Sequence, residues 1–158
     1  MRRVKQKVED ERAIHGLLAQ AEVGRLATSG PDGPMIKPLN FIHIDNAIYF
    51  HSAMEGEKID HIKVNPKVCF EVEGEMQYIP ATEKPCKASY KYESIIISGS
   101  ATIVDDQTTR IDVLNGLMKK YQPEGEYDKV TPRMAQTTAV IEIAIETMTM
   151  KSSPAQDN

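Results

Sequence analysis

The chain has 158 residues, 41% hydrophobic and 27% charged, with a formal net charge of −4 and no tryptophan. That length fits one domain with a sizeable core, and the acidic balance argues against a nucleic-acid partner, whose usual footprint is a basic face. No stretch reaches the ~18 apolar residues of a membrane span, and the charged start Arg2-Arg3-Val4-Lys5-Gln6-Lys7 has no apolar segment behind it, so neither a membrane anchor nor a leader is expected.

The predicted elements follow in chain order. Residues 9–21 read as a helix, with Ala13, Ile14, Leu17, Leu18 and Ala21 on one stripe and Gly24 as a stop. Residues 25–29 form a short strand. The turn Gly30-Pro31-Asp32-Gly33-Pro34 leads to a second strand over 35–44. Asp45-Asn46 turns the chain into a third strand over 47–51. Residues 57–64 form a short helix that Asn65-Pro66 ends, because the residue before proline disfavours the α region. Residues 67–73 alternate as a fourth strand, which makes Cys69 a buried thiol. Residues 74–87 are mostly loop, with room for a short edge strand. Residues 92–104 are a long strand in which Gly99 marks a bulge or a close backbone contact. Residues 106–120 are helical, 121–133 irregular and 138–150 a final strand. One domain over 1–150 and a polar, frayed tail over 151–158 are expected.

Short antiparallel strands with few helices point to a small barrel, since closure removes exposed edges. There is no GxGxxG and no GxxxxGK[ST], so the usual dinucleotide and P-loop sites are not available. No histidine pair has metal spacing, so no metal site is expected. Two cysteines make no disulfide framework, and a reducing cytoplasm is the expected location.

The informative segment is Tyr49-Phe50-His51-Ser52-Ala53-Met54-Glu55-Gly56-Glu57-Lys58. An apolar strand runs into a corner carrying an imidazole, a hydroxyl, a glycine and a lysine. A helix opening there offers free N–H groups to an anion, and Lys58 adds a full charge. Upstream, Pro38-Leu39-Asn40-Phe41 lies on a strand that Pro38 makes irregular or places at an edge. That pair of features suits a flavin phosphate beside a strand that lies against the ring. Each residue also has an ordinary reading: His51 as a strand-end histidine, Ser52 as a helix cap, Gly56 as a turn residue and Lys58 as a solvated lysine. Their order along the chain carries the signal. His15 and His61 read as surface or half-buried positions.

These residues resemble the pyridoxamine 5′-phosphate oxidase-like, FMN-binding split-barrel family, and within it the 5-nitroimidazole-resistance branch. The landmarks are Arg2-Arg3, Gly24-Arg25-Leu26-Ala27, Pro38-Leu39-Asn40-Phe41, Tyr49 to Ala53, Gly56-Glu57-Lys58, Asn65-Pro66-Lys67-Val68-Cys69-Phe70, Tyr92-Glu93-Ser94 with Gly99, and Met148-Thr149-Met150-Lys151. The resemblance implies a six-stranded antiparallel split β-barrel with flanking helices. It implies a homodimer with flavin at the subunit interface. Ile36, Lys37, Pro38, Leu39, Asn40 and Phe41 would line the ring. Phe50, His51, Ser52 and Ala53 would lie near the ring and ribityl chain, with His51 as the catalytic proton donor or acceptor. Lys58 would hold the phosphate, and Tyr92 and Ser94 would contact the flavin. Where the oxidase branch has Ser-Arg-Lys, this chain has Gly56-Glu57-Lys58, and it lacks that branch's C-terminal Arg/His segment, which argues against vitamin B6 oxidation.

The implied activity is an FMN-dependent oxidoreductase of the nitroreductase type, with FAD as a variant cofactor. NADH or NADPH would donate the electrons. Two alternatives remain open: a flavin carrier or sensor without turnover, and a split barrel holding haem or a deazaflavin, for which His43, His51 or His61 would be the axial candidates.

Overall fold

The computed structural model describes residues 7–153. Strand β1 (Lys7–Val8) leads to helix α1 (Glu11–Gln20), whose start is fixed by the Asp10 carboxylate accepting from the Arg12 amide at 2.9 Å. Strands β2 (Gly24–Gly30) and β3 (Gly33–Leu39) form a hairpin, with Gly33 at φ 111° in the turn. Next come β4 (Ile42–Ile44), β5 (Ala47–Ser52), α2 (Glu57–Val64), β6 (Lys67–Glu73) and the short edge strand β7 (Gln77–Ile79). A 3₁₀ turn (Pro85–Lys87) precedes β8 (Ser89–Ile103). Helix α3 (Gln107–Tyr121) is capped by Asp106, which accepts from the Thr109 amide at 2.7 Å. Helix α4 (Pro132–Gln136) and strand β9 (Ala139–Ser153) complete the described chain.

Several boundaries differ from the sequence reading, four of them in ways that bear on the site. Gly24 opens β2 rather than stopping α1; a Cβ there would stand 2.1 Å from the Phe70 ring, so close strand packing explains the glycine. The strand expected over 35–44 breaks at Asn40 and Phe41. Helix α4 starts at Pro132, within the stretch 121–133 read as irregular, and runs on to Gln136. Strand β9 continues to Ser153, where Lys151, Ser152 and Ser153 pair with Ser94, Glu93 and Tyr92. The Arg2-Arg3 landmark and the last five residues of the expected tail lie outside the described residues.

The strands pair antiparallel in the order β3-β2-β6-β8-β9-β5-β4, with β1 added on β9 and β7 on β8. That makes nine strands rather than six, and the ladder is not closed. Yet β3 and β4, the two ends of this path, are consecutive in the chain and joined only by Asn40 and Phe41. The two edges of the sheet therefore meet through the backbone, and the gap between them is the split in the barrel. The fold class is the expected split barrel, with the single expected strand doing duty on both sides of the split.

Alternation places Leu26, Phe70, Val72, Ile95, Ile97, Ile141 and Ile143 inside, with Phe41, Phe50 and Ile59 closing the main core. A second cluster of Ile42, Val104, Val113, Leu117 and Val140 seats α3. Between β8 and β9 the register shifts at Ser98 and Gly99, leaving Glu146 as the extra residue of a bulge. A Cβ on Gly99 would stand 2.2 Å from the Ala144 carbonyl oxygen. Backbone cannot yield there as a flexible side chain would, so Gly99→Ala is expected to cost about 2–3 kcal/mol in urea unfolding. An unchanged midpoint would show that the bulge tolerates a methyl group.

Candidate functional site

The site is built at the corner where β5 passes into α2. Gly56 occupies the N-cap at φ 125°, a conformation side chains disfavour, and no side chain caps this helix. Its first amides are therefore open to an external acceptor. Glu57 and Asp60 share that first turn and partly satisfy the helix dipole. Lys58 is half-buried, with Nζ 5.9 Å from the centroid of the buried Phe50 ring. Burial pushes its pKa below the ordinary lysine value, and the charge of Lys37 lowers it further. Among the described residues neither lysine has an ion-pair partner.

The pairing of these lysines follows from the register of β3. Lys37 lies opposite Leu26, a core residue, and so leans toward the face covered by α2. Ile36 and Pro38 point the other way, beside Ala27 and Arg25. Ile36 is 64% exposed on β3, which ends the hydrogen-bonded path and, among the described residues, pairs only with β2. Next to Pro34 lies a hollow of about 410 Å³ floored by Ala27, Cys69, Ser98 and Gly99. Cys69 is thus a half-buried thiol on the outer face rather than a core one, because Val68 and Phe70 take the inward positions. Burial and then Glu71 raise its pKa.

The remaining expected residues separate into four groups. Leu39 is half-buried against the core, and Ala53 is exposed just past β5. Ser52 is buried beside Phe50 and faces away from His51. His51 opens on the other face of β5, into an apolar pocket of about 230 Å³ beneath Leu114, Leu117 and Met134. Tyr92 and Ser94 lie on β8, three strand spacings from β3, roughly 14 Å along the sheet. Within one chain the structure brings Lys37 and Lys58 together. It does not bring His51, Tyr92 or Ser94 to them.

The strand break is held from α3. The Tyr121 hydroxyl accepts from the Phe41 amide at 2.9 Å and lies 2.9 Å from the Phe41 and Glu22 carbonyls, one of which takes its proton. Asn40 donates to the Glu22 carbonyl at 3.1 Å. Phe41 is fully buried and packs edge-on against Phe70, so its ring belongs to the core and cannot also line an exposed ring site. Sequence reasoning missed Tyr121, whose only local sign is its place at the end of an amphipathic helix. Next to it, Lys120 donates to the Leu18 carbonyl at 3.1 Å and lies 3.9 Å from the Phe41 ring centroid. Burial lowers its pKa to about 8.

That shift has a consequence with a fixed sign. Below about pH 8 the Lys120 amine is charged in both folded and unfolded chains. Above it, up to the ordinary lysine value, only the unfolded chain holds the proton, so this group makes stability rise with pH. Relative to Lys120→Met, the wild-type chain is expected to gain about 1 kcal/mol across that window in urea unfolding, after discounting for solvent screening of a half-exposed amine. Parallel stability curves for the two proteins would contradict this.

His61 is buried, not near the surface, and its Nδ1 lies 3.0 Å from the Thr28 hydroxyl. A Cβ on Gly30 would stand 2.2 Å from its ring, so the glycine makes the room. His61 locks α2 onto β2 and has no open side for a haem. Among the described residues no group of three His, Cys, Asp or Glu could hold a metal ion. No helix among them is long and apolar enough to cross a membrane.

Residues 10–152 match the family model described as pyridoxamine 5′-phosphate oxidase. An uncharacterised protein of Rhizobium meliloti (strain 1021), RA0666, is 32% identical over 49% of this chain, a match spanning 60% of that relative's length. Two solved structures share the fold. One is a candidate 5-nitroimidazole antibiotic resistance protein of Bacteroides thetaiotaomicron, with TM-score 0.79, 23% identity, and coverage of 92% of this chain and 85% of that one. The other is the flavocytochrome Anf3 of Azotobacter vinelandii, with TM-score 0.86, 15% identity, and coverage of 98% and 72%. Identities this low carry the architecture alone. The match to the family model covers nearly the whole barrel, and the chain belongs to the pyridoxamine 5′-phosphate oxidase family.

Proposed function

We propose that this chain is a flavin-dependent oxidoreductase that takes FMN, accepts electrons from NADH or NADPH, and passes them to a small acceptor of the nitroaromatic kind. The observation that supports it most directly is the convergence of Lys37 and Lys58 at the uncapped N-terminus of α2. Two cations without carboxylate partners, one of them half-buried, carry an electrostatic cost that a bound phosphate would relieve. Lys37 takes the place of the cation that Glu57 displaces. When bound, the flavin supplies two-electron redox chemistry. The chain's own residues hold its phosphate, offer the free edge of β3 to its ring and exclude water from one side. His51, at the end of β5, is the candidate proton donor or acceptor.

The proposal includes a homodimer. Ile36 and Ile96 leave apolar surface on the outer face of the sheet, and a second copy set there would cover it. Tyr92 and Ser94, remote from Lys58 in their own chain, would then reach the flavin of the partner. Free Cys69 and Cys86 suit a reducing cytoplasm.

The test is anaerobic addition of NADH or NADPH to FMN-loaded protein, followed by a nitroaromatic compound. Loss of the visible flavin absorption and its return with the acceptor are expected. Absorption that persists with both donors would contradict the enzyme reading and leave a flavin carrier. His51→Ala is expected to keep the fold and FMN affinity while slowing reduction by about 10²-fold. An unchanged rate would place His51 outside the chemistry.

A further inference from the structure

A cavity of about 700 Å³ lies between α1, β4 and the C-terminal half of α3, a volume within the roughly 300–1,000 Å³ of small-molecule sites. No residue of α2 or β3 lines it, so it is distinct from the corner that holds Lys37 and Lys58. Among the described residues its rim carries four nitrogen bases and no carboxylate: His15 from α1, His43 from β4, and Lys119 and Lys120 from α3. Leu18 and Ile42 supply an apolar floor. Glycine at 116 lets α3 approach closely, since a Cβ there would stand 2.8 Å from Ile42 Cδ1.

The His15 and His43 rings lie 5.2 Å apart between centroids and tilt by 36°. Two imidazolium rings at that distance repel, and Lys120 adds to the repulsion at His43. The acid felt at His43 is Asp45, in the turn beyond β4, and it does not line the cavity. The rim is thus a cluster of bases with no carboxylate among the described lining residues, placed over a floor that favours hydrocarbon. We propose that this cavity binds a small organic carboxylate, its anionic end among His15, His43 and Lys119 and its apolar body on Leu18 and Ile42.

Benzoate is the probe, and the imidazole resonances of His15 and His43 in the full chain are the readout. A carboxylate seated between the rings stabilises their protonated forms. Saturable benzoate-dependent shifts of both resonances are therefore expected, with the His61 resonance unmoved. Lys119→Met should weaken binding about tenfold through the lost charge. Ala19→Trp keeps every base but fills the mouth of the cavity, and should abolish binding. Three results would each overturn the proposal: no saturable shift at either histidine, shifts unchanged in both variants, or equal shifts produced by inorganic phosphate at the same concentration, which would remove the role of the apolar floor.

Discussion

Phe70→Ala is expected to lower stability by about 4 kcal/mol, the largest effect of any single truncation in this barrel. Phe70 is fully buried, and its ring packs edge-on against Phe41 with centroids 5.1 Å apart at 71°. It lies in register with Leu26 on one side and Ile97 on the other, so its ring spans the middle of the main core. On the third side Gly24 has given up its side chain to admit it. Removing the ring would leave a void beside the strand break, where β3 passes into β4 and neighbours cannot collapse without disturbing the Tyr121 bridge. Urea unfolding measures the loss. Phe70→Leu, which keeps most of the volume, is expected to cost about 1.5 kcal/mol and serves if the alanine variant does not fold. A loss below about 1 kcal/mol for the alanine variant would mean that the core is not organised around this ring.

Lys58→Ala is the second large effect, here on binding. A charge-assisted contact to a phosphate is worth about 1.5–3 kcal/mol, so FMN affinity is expected to fall about 10- to 150-fold. Lys37→Ala is expected to act in the same direction, because its charge is felt at Lys58. Fluorescence quenching of FMN gives both numbers. Unchanged affinity in the Lys58 variant would place the phosphate elsewhere, and Lys58 would then be a helix lysine resting on Phe50.

The parts of this fold that were legible in the sequence are those set by local chemistry. The β2–β3 turn is announced by Gly30-Pro31-Asp32-Gly33, the end of α2 by Asn65-Pro66, and the bulge by Gly99 inside an apolar run. The break at Asn40 and Phe41 was not placed, although Pro38 marks that strand as irregular or at an edge. Helix α4 is too short for a periodic signal, and only Thr131 followed by Pro132 hints at a helix start. The burial of His61 depends on Gly30, thirty-one residues away and on another element, so no local pattern could give it.

The same division runs through the candidate site. The corner from His51 to Lys58 could be read from residue order, because strand end, glycine and helix start follow one another in the chain. The role of Lys37 could not, since it depends on which face of β3 meets α2. Conversely, residues that the family resemblance groups around one ring, Phe41 and His51 among them, are separated in the single chain by the alternation of β5 and by the tether from Tyr121.

The most direct test of the central claim compares FMN with riboflavin, which lacks the phosphate, in equilibrium binding to the wild-type chain and to Lys58→Ala. If Lys37, Lys58 and the open N-terminus of α2 form a phosphate site, FMN should bind at least about 100-fold more tightly than riboflavin, and most of that difference should vanish in the variant. Equal affinity of the wild-type chain for the two compounds would contradict the account.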